Sequence, residues 1–166
     1  FRGNVLTPED VMSGEATIGD RVLVWDTDGY FVGPGIAEHL AAHGHEVTAV
    51  TPASAFGPYL HQTMEDARMT EDLRALGVRI FPGSGLGRAD ADAIAVETLA
   101  GPVEVGVDTV VVVGQRVADS DLHQALQDRS SEWSQAGLTG VYSIGDSLRP
   151  SFIADAVFSG HRLARE

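Results

Sequence analysis

The stretch "VLVWDTDGYFVGPGIAEHL", residues 22–40, decides the fold. A run of apolar residues of strand length enters a turn. Beyond the turn Val32, Ile36, Ala37 and Leu40 recur at 3.6-residue spacing, which predicts an amphipathic helix over about 31–43 ending at Gly44. A strand, a tight turn and a helix in this order form the opening of a dinucleotide-binding unit, whose turn carries three glycines spaced G-x-G-x-x-G. Counting back from Ala37 and Leu40, the three places fall on Asp28, Tyr30 and Gly33. One is glycine and one is a carboxylate, so the turn has the outline of a phosphate cradle without its residues.

Working outward, Gly19-Asp20 turns the chain into a first strand at 21–26, and a second strand at 45–50 follows Gly44. Two strands joined through a helix by short connections make a βαβ unit, with parallel strands and a right-handed crossover. Upstream, Thr7-Pro8-Glu9-Asp10 has the form of a helix start, with Thr as N-cap, Pro at the first helical position and an acid three residues after the cap, so 8–13 is expected as a short helix. Downstream, 51–59 reads as loop, 62–76 as helix and 78–81 as a third strand. Then "AIAVETLAGPVEVGVDTVVVVG" offers short strands at 93–98, 102–106 and 109–113 separated by Gly and Asp turns, an antiparallel meander pattern. The strand at 109–113 is also expected in the parallel sheet. "GSGLG" at 83–87 reads as a flexible loop. Residues 120–135 are expected as a helix with Leu122, Leu126 and Trp133 toward a core. "GVYSIGD" is expected as a last strand, and a closing helix after Pro150 carries Ile153, Ala156, Val157, Gly160 and Leu163-Ala164 on one face.

The composition narrows the partners. The 166 residues are 43% hydrophobic and include 19 glycines, which fits an α/β protein large enough to bury a core. A formal net charge of −13 argues against a nucleic-acid partner or an anionic membrane surface. All 11 basic residues are arginine, which removes a lysine Schiff base or a P-loop lysine. Cysteine is absent, so disulfides and thiolate ligands are excluded and nothing points to an oxidising compartment; a cytoplasmic setting is expected. No apolar run approaches the roughly 20 residues of a membrane span. The chain opens at Phe1 rather than Met, as expected for a piece of something longer.

Two stretches carry a family resemblance. The succession βαβ, α-β, meander, then "VVVVGQR", resembles the NAD(P)H-binding domain of two-dinucleotide flavoproteins, and "TGVYSIGDSLRPSFIADAVFSGHRLARE" resembles the returning segment of their FAD domain. In detail, "GNVLTPEDVMSG", Tyr30-Phe31 after an acid-rich turn, "GIAEHLAAHGHEVTAV" and "IADAVFSGHRLARE" resemble the C-terminal region of the trimethylamine dehydrogenase-like family of FMN and iron–sulfur oxidoreductases. The resemblance implies an α/β fold with a Rossmann-like parallel sheet and an antiparallel β-meander. It implies residues 1–19 as a linker with a short helix, 20–115 as a degenerate NAD(P)-binding-like domain, and 116–166 as the return segment of an FAD- or ADP-binding-like domain. The parent would carry FMN and a 4Fe-4S cluster on a barrel, and ADP or FAD in its own domain, and could pass electrons to an electron-transferring flavoprotein. No cofactor is expected in this chain, which alone should not catalyse a reaction. The remainder of its own polypeptide is its expected partner. The alternative is a working NAD(P)H-binding module of a dienoyl-CoA reductase-type enzyme using FAD and FMN.

Three requirements of a dinucleotide site fail together in the turn Asp28, Gly29, Tyr30 and Gly33. Asp28 puts a carboxylate near the helix N-terminus, where it is expected to accept the orphan N–H groups itself. Tyr30 fills the close-approach position with a ring. Strand two ends in Val50-Thr51-Pro52, without an acid for a ribose hydroxyl or an arginine for a 2′-phosphate. The reading is a degenerate dinucleotide turn; the functional alternative gives Asp26 or Asp28 a ligand amine or ribose. Gly145-Asp146 is the candidate ADP/FAD half-site, because glycine permits close approach and the carboxylate can accept a sugar hydroxyl; otherwise Asp146 caps the following turn. His39, His43 and His45 lack an H-E-x-x-H arrangement and read as flanks of an amphipathic helix, with no metal expected. Arg162 and Arg165 read as a solvated helix end. No Ser/His/Asp arrangement has a spacing signal.

Overall fold

The computed structural model describes all residues, Phe1–Glu166, and divides into two compact units, Phe1–Gln115 and Arg116–Glu166. The first unit is built on a five-stranded, fully parallel sheet. Its strands are β1 (Asn4–Leu6), β2 (Arg21–Asp26), β3 (Glu46–Val50), β4 (Arg79–Phe81) and β8 (Thr109–Val113), in the order β1-β8-β2-β3-β4. A separate antiparallel sheet, β5-β6-β7, comprises Gly85–Ala89, Ala93–Thr98 and Gly101–Gly106. The expected parallel pairing is found: Val22 to Trp25 lie opposite Val47 to Val50, and Val22 to Asp26 opposite Thr109 to Val113.

Period-two alternation explains why these strands are apolar throughout. Val22, Val24, Val47, Ala49, Val111 and Val113 face a core that also takes Ile36, Ala37 and Leu40 of α2 (Val32–Ala42), and Met69 and Leu73 of α3 (Asp66–Ala75). Leu23, Val50 and Val110 face the other way and form a second core with Ile94, Val96 and Val105 of the meander. The parallel sheet is thus covered on one face by helices and on the other by the small sheet. Burial on both faces is why "VLVW" and "TVVVV" read as continuous apolar runs.

The helix α1 (Pro8–Ser13) begins as its sequence predicts. Thr7 Oγ1 accepts from the Asp10 N–H at 3.2 Å, and the Asp10 carboxylate accepts from the Thr7 N–H at 2.8 Å. Residues 1–19, expected as a linker with a helix, also supply the edge strand β1, paired with β8. Three further expectations are corrected. Residues 83–87 are not loop throughout, because Gly85 and Leu86 begin β5 and pair with Glu97 and Val96. The helix expected from 62 is interrupted, since a 3-10 turn over Pro58–Thr63 ends at Met64 in the left-handed region before α3 starts. The strand at 109–113 is not a meander strand: β8 lies wholly in the parallel sheet, and β5 takes the third place.

The second unit contains α4 (Asp121–Asp128), short 3-10 turns at Ser130–Glu132 and Gly145–Ser147, and α5 (Ile153–Leu163). The helix expected over 120–135 closes early. Trp133 Nε1 donates to the Leu126 carbonyl at 2.9 Å, and Arg129 pairs with Glu132 across the tightened turn. Of its expected core residues, Leu122 is exposed while Leu126 and Trp133 are half-buried. "GVYSIGD" does not form a strand; a strand needs a ladder partner, and none is supplied to 141–144. No helix of the protein is long and apolar enough to cross a membrane.

Candidate functional site

In an open parallel sheet, ligands bind beyond the carboxyl ends of the strands, where the strand order reverses. Here β2 continues to β3 on one side while β8 returns on its other side, so the reversal lies between β2 and β8. Asp26 ends β2 at that place. It shares the inward face of Val22 and Val24, so its side chain points to the helix side and is fully buried. Asp26 Oδ1 accepts the N–H groups of Asp28 at 2.9 Å and Gly29 at 3.0 Å. Its Oδ2 has no hydrogen-bond partner. Burial pushes the Asp26 carboxyl above the usual carboxylate range, although the two backbone N–H groups pull it the other way and the Asp28 charge adds to the rise.

This geometry corrects the role expected of Asp28. No side chain caps α2, and Asp28, half-buried, has its own N–H held by Asp26. The first-turn hydrogen bond runs from the Gly35 N–H to the Phe31 carbonyl at 2.9 Å. The carboxylate that takes up the turn's donors is thus two residues earlier than the turn motif suggests. Period-two alternation from Val22 and Val24 is the signal that finds it.

The other turn residues are also placed. Gly29 has φ of 75°, the left-handed region, and its carbonyl accepts the Tyr59 N–H at 3.1 Å. Tyr30 is half-buried and packs on the helix-side core. Gly33 lies against Asp26, where an added Cβ would come within 2.6 Å of both Cγ and Oδ2. Glycine at this position therefore makes room for a protein carboxylate. At the end of β3, Thr51 is buried and its Oγ1 accepts the Ala53 N–H at 3.2 Å. Beyond it an open hollow of about 750 Å³ is lined by Ser54, Phe56, His61, Thr70 and Arg74, with His61 Nδ1 3.1 Å from the Asp66 carboxylate. That pairing holds Asp66 below the usual carboxylate range.

In the second unit, Gly145 has φ of 59° and donates its N–H to Ser159 Oγ at 3.1 Å. Asp146 is exposed, and its Oδ1 accepts from the Ser151 N–H at 3.4 Å. No group of three or more His, Cys, Asp or Glu side chains is arranged to hold a metal ion.

Comparison with known proteins places this geometry. Residues 6–119 match the family model for the OYE-like second alpha/beta domain. The chain is 34% identical to dimethylamine dehydrogenase of Hyphomicrobium sp. (strain x), an alignment covering 98% of this chain and 25% of that protein. Among solved structures, histamine dehydrogenase from Rhizobium sp. 4-9 superposes with a TM-score of 0.89 at 32% identity, over 99% of this chain and 26% of the other. The 6-hydroxypseudooxynicotine amine oxidase of Pseudomonas geniculata N1 gives 0.84 at 31% identity, over 95% and 24%. The chain spans about a quarter of the length of the relatives it matches. It belongs to the OYE-like second alpha/beta domain family, within the trimethylamine dehydrogenase-like flavoproteins.

Proposed function

We propose that this chain is the C-terminal nucleotide-binding-like region of a flavin- and iron–sulfur-dependent amine dehydrogenase or demethylase, and that its own dinucleotide turn is vestigial. In this reading FMN, the 4Fe-4S cluster and the ADP or FAD belong chiefly to the rest of the polypeptide. The absence of cysteine supports this for the cluster, because no thiolate ligand can come from these residues. The chain's contribution is structural: it supports the flavin barrel and the FAD/ADP-like domain in a cytoplasmic enzyme that passes electrons to an electron-transferring flavoprotein. Gly145 and Asp146 belong to the return segment of the ADP/FAD half-site, where the exposed carboxylate can accept a sugar hydroxyl. By itself the chain is not catalytic.

The observation that carries the vestigial reading is the Asp26 carboxylate, whose Oδ1 takes the Asp28 and Gly29 N–H groups in the turn. A pyrophosphate needs free backbone donors and no negative charge beside them. Here the donors are used and the charge is built in, while Tyr30 and Thr51 leave neither an open approach nor a ribose acid. The test is calorimetric titration of the chain with NADH and NADPH. No measurable heat of binding is expected for either. Micromolar binding would sink the vestigial reading and favour a working NAD(P)H module.

A further inference from the structure

At the other end of α2, His39 in the last turn and His43 at the C-cap bring their rings together on one helix face, with centroids 4.3 Å apart and planes inclined by 40°. His43 Nδ1 lies 2.7 Å from the His39 carbonyl oxygen. A carbonyl can only accept, so this nitrogen carries the proton and His43 keeps its Nε2 lone pair free to ligate. The same bond orients the ring, as a backbone carbonyl does for histidine ligands in metal sites. With a metal–nitrogen distance of about 2.1 Å, a ring centroid lies about 3.2 Å from the ion, and two imidazoles in cis positions of a square or tetragonal ion have centroids about 4.5 Å apart. The observed separation matches that requirement. The carbonyl end of the helix macrodipole adds a favourable field for a cation.

We propose that His39 and His43 form a two-imidazole chelate for a divalent first-row transition cation, with water in its remaining positions. Copper(II) should bind most tightly, following the general order for nitrogen ligands. The site is independent of the turn at Asp26.

The test is titration of the chain with copper(II), read by calorimetry for affinity and by electron paramagnetic resonance for the number of coordinated imidazole nitrogens. One ion per chain is expected with two imidazoles. His39→Gln and His43→Gln should each lower the affinity on the order of 100-fold, since either removes the chelate's effective-concentration gain, and should reduce the imidazole count to one. His61→Gln, on another element, should change neither readout. A copper signal with one imidazole in the unmodified chain, binding confined to millimolar metal, or binding unaffected by both substitutions would overturn the assignment.

Discussion

Gly33→Ala probes the contact on which the turn depends. The added Cβ would sit 2.6 Å from Asp26 Cγ and Oδ2, and 3.0 Å from its Cβ. That falls short of the roughly 3.5 Å carbon–carbon optimum by about 1 Å. Asp26 cannot swing away, because it is fully buried and its Oδ1 is held by two backbone N–H groups. Overpacking of this kind costs about 1–3 kcal/mol, and replacing a helical glycine by alanine returns up to about 1 kcal/mol, so a net loss of about 1–2 kcal/mol is expected. Asp26→Ala alone should cost about 1–3 kcal/mol by leaving the Asp28 and Gly29 donors without their acceptor. It also removes Cγ and both oxygens, so Gly33→Ala in that background should be neutral or stabilising. Urea unfolding followed by Trp25 fluorescence, in a Trp133→Phe background that silences the second unit, measures all four corners of the cycle. A favourable coupling of about 1–3 kcal/mol is expected. Equal cost of Gly33→Ala in both backgrounds would refute the contact as the reason for glycine.

Titration and exchange give further tests. Burial raises the Asp26 carboxyl, so its contribution to stability is fully present below the ordinary carboxylate value and is lost as pH rises through the folded one; Asp26→Asn should flatten that part of the urea-midpoint profile, and an unchanged profile would speak against burial as the cause of the rise. Asp108 has the opposite sign. Arg21 holds it below the usual range through hydrogen bonds of 2.6 and 3.1 Å, so the pair stabilises above the ordinary carboxylate pKa of about 3.9 and the gain is lost as pH falls through the lower folded value. Asp108→Asn should therefore be destabilising at pH 7 and progressively less so as pH falls below the ordinary carboxylate range; a cost that does not change with pH would reject the pairing as the cause. In hydrogen exchange, residues 141–144, which have no ladder, should be far less protected than Val22–Trp25; equal protection would show that this segment has found a strand partner.

Much of the fold was legible because its signals are local and periodic. The apolar alternation of β2, β3 and β8, the 3.6-residue spacing of α2 and the capping box of α1 each name their element without reference to distant residues. What tertiary structure decided was partnership. "NVL" at 4–6 is too short to carry a pattern and becomes a strand because β8 offers an open edge. Glycine-rich 85–89 has no strand propensity of its own and is held by β6. The strand expected in "GVYSIGD" has a suitable pattern and no ladder to join, so it does not form.

The turn shows the same division at the scale of one side chain. Its departure from a glycine-rich phosphate cradle is plain in the residues Asp28, Tyr30 and Gly33. Which carboxylate enters depends on the pleat of β2 and the path of the backbone after it. Asp26 lies on the inward face and reaches two N–H groups of the turn, while Asp28 contributes one of those N–H groups. A sequence specifies which polar groups are available at a turn; only the folded backbone sets which of them lie within about 3 Å of one another.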